Sequence, residues 1–326
     1  MAEHVPSYRG PATLQPLAGG QSNPTFRLRA PSGDYVLRRK PMGPLLPSAH
    51  QVDREFRVMA ALAGSEVPVP RMHGLCMDDA VLGSAFFVMD FVPGRVLFDP
   101  KLPGLSAAER AGIFDSMNAT IAALHRVDPE AVGLGDYGRP ANYLQRQFAR
   151  WSKQYRASET APIPAMDRLI EWLPDRLPHS EAARIVHGDL RLDNMLVHPS
   201  EPRVVALLDW ELSTLGDPLA DIANNVCAWR LTPDLFRGLH GVDLAPLGLP
   251  SEAEYTHAYM RRVGLALPAD WEVYLIFNLF RLAAILQGIA KRSLEGTAAD
   301  PDAASVGRKA RPMAERAWQL AERISA

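Results

Sequence analysis

Cysteine is scarce: the 326 residues contain two, Cys76 and Cys227, too far apart for any metal or redox spacing. This excludes a disulfide framework and a thiol-built zinc site, and both read as buried thiols of a cytosolic chain. An excess of one charge is also missing. With 35 Lys and Arg against 37 Asp and Glu, the net charge is −2. No global field therefore recruits nucleic acid or an anionic membrane. The N-terminus has neither the basic region nor the apolar segment of an export signal. Long hydrophobic runs are absent too. The longest, 273–289, is broken by Asn278, Arg281 and Gln287, whereas a spanning helix needs about 20 predominantly apolar residues. The expectation is a soluble, cytoplasmic protein with no nucleic-acid and no membrane partner.

What is present is apolar material, 47% of the residues, enough for about two domains at this length. The first part reads as β with one helix. Strand-like runs at 26–30 and 35–39 flank Pro31-Ser32-Gly33-Asp34, a hairpin signal. A helix is expected over 48–62, with Ser48 as N-cap and Val52, Phe56, Met59 and Leu62 at helical spacing. Strands follow at 71–77 and 85–91, and Val92-Pro93-Gly94 closes this part. Beyond it helices are expected at 107–125, 143–155, 166–173, 217–229, 252–263, 271–291 and 308–324; Pro174 stops the third. One β island, 185–208, interrupts them, and 157–164 and 295–305 read as flexible loops. The pattern predicts an α+β, bilobal fold: a small antiparallel-sheet lobe over 1–91, a linker at about 90–94, and a mainly helical lobe over 95–326.

The chemistry concentrates between His187 and Asp221. Residues 187–194 read H-G-D-x-x-x-x-N, flanked by apolar Ile185-Val186 and Met195-Leu196-Val197. The string resembles the kinase catalytic loop H-R-D-x-x-x-x-N, with Gly188 in place of arginine. Phosphoryl transfer needs a carboxylate beside the attacking hydroxyl, the role assigned to Asp189. It also needs an oxygen ligand for magnesium, assigned to Asn194. A turn at 199–203 and a buried strand at 204–208 lead to Asp209, placed as the D-F-G aspartate is and so the second Mg²⁺ ligand. Glu211 is read as structural.

With D-W-E-x-x-x-x-G-D-P-x-x-D-I-A following at 209–223, the chain resembles the aminoglycoside phosphotransferase/choline kinase superfamily. Gly19-Gly20-Gln21-Ser22-Asn23, Val36-Leu37-Arg38-Arg39-Lys40-Pro41 and Asp53-Arg54-Glu55 make it similar to the subgroup whose kinase domain is also fused ahead of acyl-CoA dehydrogenase domains. The likeness covers about 14–291. It implies a kinase-like fold, ATP and Mg²⁺ as cofactors, and a small-molecule hydroxyl substrate. Carried over, Asp189 is the base and Asn194 and Asp209 are the metal ligands. His187, Asp217 and Asp221 are scaffold, the two aspartates capping amides of the catalytic loop. Ser22 and Asn23 belong to a phosphate-covering loop, and Arg38, or else Lys40, grips the phosphates with Glu55 as its partner. The backbone of Asp90, Phe91 and Val92 meets the adenine, walled by Val36, Met89 and Leu196 or Leu208.

Acceptor choice is expected from an aromatic and basic wall of Trp229, Arg230, Arg261, Arg262, Trp271, Tyr274, Phe277, Asn278 and Arg281, which suits an acyl or anionic, CoA-like hydroxyl compound. A polycationic aminoglycoside would call for carboxylates there. An aminoglycoside or other amino-alcohol kinase and a catalytically inactive nucleotide-binding protein remain the alternatives. A protein kinase is disfavoured by the short segment between Asp209 and Asp217 and by the lack of A-P-E.

Overall fold

The computed structural model describes residues 5, 8–17, 23–42, 50–298 and 300–325. Its N-terminal part is a five-stranded antiparallel sheet in the order β1-β2-β3-β5-β4, with β1 Thr13–Pro16, β2 Thr25–Ala30, β3 Gly33–Arg39, β4 Met72–Cys76 and β5 Phe86–Asp90. Side chains alternate across a strand, and the two faces separate accordingly. Leu28, Tyr35, Leu37 and Val88 form a small outer cluster with Val5, whereas Val36, Phe87 and Met89 join the main core. Arg38 therefore shares the inner face with Val36.

Helix α1, Val52–Leu62, lies under that face and buries Val52, Val58, Met59 and Leu62 together with Glu55. It starts at Val52 after Gln51, later than the expected 48; Ser48, the expected cap, is outside the described residues. The short α2, Asp79–Leu82, links β4 to β5.

The remainder is helical around two small β ribbons: β6 (Arg95–Val96), β8 (Met195–Val197) and β9 (Val204–Leu207) in the order β6-β8-β9, and β7 (Arg184–Val186) paired with β10 (Thr214–Gly216). The helices are α3 Ala107–Arg126, α4 Tyr143–Ser158, α5 Pro164–Trp172, α6 Pro218–Val226, α7 Pro233–Phe236, α8 Glu252–Val263, α9 Trp271–Leu294, α10 Ala303–Gly307 and α11 Ala310–Ser325. The α5 boundary follows from Pro174, and α3 and α8 start on capping boxes at Ser106 and Ser251. Where 295–305 was expected to be a loop, α10 forms from 303 and packs on α9.

By length and composition α9 is apolar enough to cross a membrane, yet 72% of its most apolar window is buried inside the fold. Its polar residues find partners there, although Asn278 Oδ1 has none among the described residues. Asn278 donates to the Ala220 carbonyl, Arg281 to Gly188 and Gln287 to Ser158. This is the core helix about which α4, α6, α10 and α11 assemble.

Candidate active site

The catalytic loop is the strand-to-strand crossing from Val186 to Met195, both ends fully buried. It is tied from behind by Asp221 on α6. One Asp221 oxygen accepts the His187 amide at 2.5 Å and the other the Gly188 amide at 2.9 Å, while the His125 ring lies 3.3 Å away. Burial alone would push this carboxyl up, but the His125 contact and the amide hydrogen bonds hold it below the usual carboxylate range. His187 joins the loop to the end of β9: its Nδ1 accepts the Asp189 amide at 3.2 Å, which makes Nε2 the donor to the Leu208 carbonyl at 2.8 Å. Asp217 does not share the work assigned to it. It caps its own helix at Leu219 and accepts the Tyr274 hydroxyl, both at 2.9 Å, and burial pushes its carboxyl up.

The Asn194 side-chain amide donates to the Asp189 carbonyl at 2.8 Å and to its carboxylate at 3.0 Å. With the nitrogen so committed, Asn194 Oδ1 is the atom left for a cation. Asp209 adopts a left-handed conformation (φ 64°) and is 36% exposed; one of its oxygens accepts Arg38 Nη2 at 2.7 Å. Arg38 also places Nε 3.0 Å from Glu55, an ion pair without an aligned hydrogen bond, and donates Nη1 to Thr25 at 3.3 Å. The second Glu55 oxygen accepts Asn23 Nδ2 at 2.8 Å, and the Asn23 side-chain oxygen Oδ1 lies 3.0 Å from His50 Nδ1. Burial pushes the Glu55 carboxyl up to about 7, against the pull of Arg38. Thus Arg38, rather than Lys40, bridges helix α1 to Asp209; Lys40 makes no ion pair among the described residues.

A divalent cation fits this donor set. Asn194 Oδ1 and the second Asp209 oxygen are hard ligands, and Mg²⁺ takes its remaining places from phosphate and water. Among the described residues no group of three or more His, Cys, Asp or Glu could hold a metal by itself.

At the linker, Val36 pairs with Met89 across β3 and β5. The amides of Asp90 and Phe91 are spent on the Arg71 and Asp34 carbonyls at 2.9 and 3.2 Å. The Val92 amide is thus the donor left for a ligand. Arg27 lies over the Phe91 ring at 3.9 Å, and His73 holds the Asp90 carboxylate at 2.5 Å. Gly94 passes so near β8 that a Cβ there would meet Leu196 at 2.4 Å. Ser22 lies outside the described residues.

Residues 13–274 match the APH family, described as the phosphotransferase enzyme family. The chain belongs to it. Mouse acyl-CoA dehydrogenase family member 10 is 46% identical over 314 residues, 96% of this chain but 29% of the mouse protein. The chain thus spans under a third of that curated relative. A solved Ralstonia eutropha structure, assigned by likeness to the aminoglycoside phosphotransferases, is 52% identical with a TM-score of 0.91, covering 99% of this chain and 96% of that one. The aminoglycoside phosphotransferase APH(4)-Ia, solved with ADP and hygromycin B, shares the fold at 14% identity, with a TM-score of 0.61 and coverage of 93% and 94%. The chain has the protein-kinase-like fold expected.

The acceptor wall expected from the sequence is not there. Trp229, Trp271, Tyr274, Phe277 and Asn278 are core. Arg230 is consumed by Glu252 and Glu272, Arg262 by Asn118 and Asp115, and Arg281 by the Gly188 carbonyl. Arg261 lines a separate surface depression with Asp115. Helical spacing identified apolar faces but not the carboxylates these arginines meet. Sequence reasoning also missed Thr25, His50 and His125, which meet Arg38, Asn23 and Asp221 across 13, 27 and 96 residues, and the cluster around Asp193 described below.

Proposed function

We propose that this phosphotransferase moves the γ-phosphoryl group of ATP, with Mg²⁺, to the hydroxyl of a small metabolite, and that the metabolite is a hydroxyacyl-CoA. The observation that carries the transfer is the Asn194 amide locked onto the Asp189 carboxylate. It holds a general base and a metal-ligand oxygen in one rigid loop, facing an Asp209 that Arg38 ties to the sheet. Bound Mg²⁺, held by Asn194 and Asp209, would offset charge on the phosphates. The other steps fall to the chain. Arg38, fixed by Glu55, offers a planar cation to the nucleotide phosphates. The Val92 amide and the Val36 and Met89 side chains hold the adenine. Asp189 orients the acceptor hydroxyl and takes its proton as oxygen bonds to phosphorus and the bond to the ADP oxygen breaks. Acyl-CoA chemistry is supported by the mouse relative, which is named for acyl-CoA dehydrogenases.

The test is a hydroxyl-acceptor screen with Mg-ATP containing hydroxyacyl-CoAs, a kanamycin-type aminoglycoside and choline. Turnover is expected with a hydroxyacyl-CoA, and turnover confined to the other two would refute that acceptor. Asp189→Asn should lower kcat by about 10²–10⁴-fold and leave the Kd for ATP unchanged. Normal turnover by this variant would remove Asp189 from the mechanism.

A further inference from the structure

Beside the catalytic loop lies an arginine cluster made by three distant segments. Arg237, just after the short helix α7, donates to the Asp193 carboxylate at 2.7 Å and lies over the Phe98 ring at 5.2 Å. Asp193 sits between the base and Asn194, and the same oxygen receives Arg191 Nη2 at 3.3 Å. Arg191 in turn stands 3.5 Å from the Asp189 carboxylate, and its Nε has no hydrogen-bond partner.

Three features separate this cluster from the arginines spent inside the fold. Two guanidinium groups share one Asp193 oxygen, so most of their N–H donors are uncommitted. The Arg237 side chain is 48% exposed and Phe98 is 56% exposed. And Arg237 holds φ 43°, ψ 46°, a left-handed conformation that L side chains rarely adopt. Glycine would sit there without strain. Arginine at such a position suits a charge needed at that place.

We propose that Arg237, with Arg191 and Phe98, receives the anionic group of the phosphate acceptor while the acceptor hydroxyl meets Asp189. This rests on the reading of Asp189 as base and of a hydroxyl compound as substrate. A planar guanidinium matches a carboxylate or a phosphate, and an exposed aromatic ring covers the apolar part beside it. The anion comes either from the phosphates of a CoA thioester or from the carboxylate of the free hydroxy acid.

The experiment compares wild type with Arg237→Gln, Arg237→Lys and Arg237→Gly on three acceptors: a hydroxyacyl-CoA, the matching free hydroxy acid and a neutral hydroxy amide. Arg237→Gln should raise KM about tenfold or more for the anionic acceptor, with kcat and the Kd for ATP little changed. The lysine variant should recover part of that loss. Arg237→Gly should keep or raise Tm while showing the same KM defect, which a merely structural arginine would not do. A defect confined to the thioester assigns the phosphates, and one confined to the free acid assigns the carboxylate. A KM within about twofold of wild type on the anionic acceptors, or an equal defect on the neutral amide, overturns the proposal. If wild type turns over none of the three, the functional reading fails separately. The site is then judged by equilibrium binding of CoA and of the hydroxy acid, where a weaker Arg237→Gln supports it. Equal affinity, or no binding by wild type, overturns it.

Discussion

Gly188 stands where a protein kinase carries arginine, and its surroundings explain the exchange. Its φ is +83°, and a Cβ would sit 2.6 Å from the Leu212 carbonyl. A guanidinium nonetheless reaches the spot, because Arg281 of α9 donates to the Gly188 carbonyl. Gly188→Ala should cost about 1–2 kcal/mol from backbone strain alone, lowering Tm by a few degrees and kcat more severely; thermal unfolding and steady-state kinetics on that variant check it. Glu55 offers a pH test. Its carboxyl rises from 4.5 to about 7 on folding, because burial outweighs the attraction of Arg38. Such a group binds a proton on folding, so its contribution to stability is full below about 4.5 and is lost as pH climbs to about 7. The Tm of wild type minus that of Glu55→Gln should fall steadily between these limits, and a flat difference would contradict the shift.

At the scale of elements, the loop between β7 and β8 depends on a helix it does not touch in sequence. Asp221 of α6 holds two consecutive loop amides, and His125 of α3 and Tyr259 of α8 line up behind it, the hydroxyl 2.7 Å from the ring. Hydrogen bonds to a charged acceptor contribute about 1.5–3 kcal/mol. Asp221→Asn should therefore speed hydrogen exchange of the 187–188 amides by at least about tenfold, with a matching loss of kcat. Unchanged protection would show the loop to be self-supporting. That anchoring was half legible: the G-D-P-x-x-D spacing pointed to Asp221, but nothing pointed to His125 or Tyr259. The long helices were read within a few residues because each carries its own period and stop signal. β1 was missed because all of its residues are exposed and no alternation marks it. β10 was missed because three residues pairing with β7 leave no local signature. The arginines were misassigned for a related reason. A guanidinium's partner is set by tertiary contact, and Arg262 finds Asp115 across 147 residues.

At the scale of the molecule, the proposed division into 1–91 and 95–326 is a division of labour more than of stability. Val36, Val52 and Phe87 from the sheet and α1 share one continuous core with Met195, Ile276 and Phe280. Polar ties cross the same boundary: Leu207 N–H to the Pro68 carbonyl at 2.8 Å, Arg54 to the Tyr137 carbonyl at 2.7 Å, and Arg38 to Asp209. An interface built from shared core and buried ion pairs leaves neither part a surface on which to survive alone, so the two should unfold together. The sequence provides the means to test this, because all six tryptophans lie at or beyond Trp151, in the helical part. Tryptophan fluorescence then reports that part alone, while hydrogen exchange at β3 and β5 reports the sheet. Coincident denaturant midpoints for the two probes are expected. Arg38→Met should separate them, the sheet melting first, because it removes the cation joining Glu55 to Asp209 and leaves a buried carboxylate at the seam, a change that costs about 3–5 kcal/mol. Distinct midpoints already in wild type would mean that the sheet and the helices are independent domains.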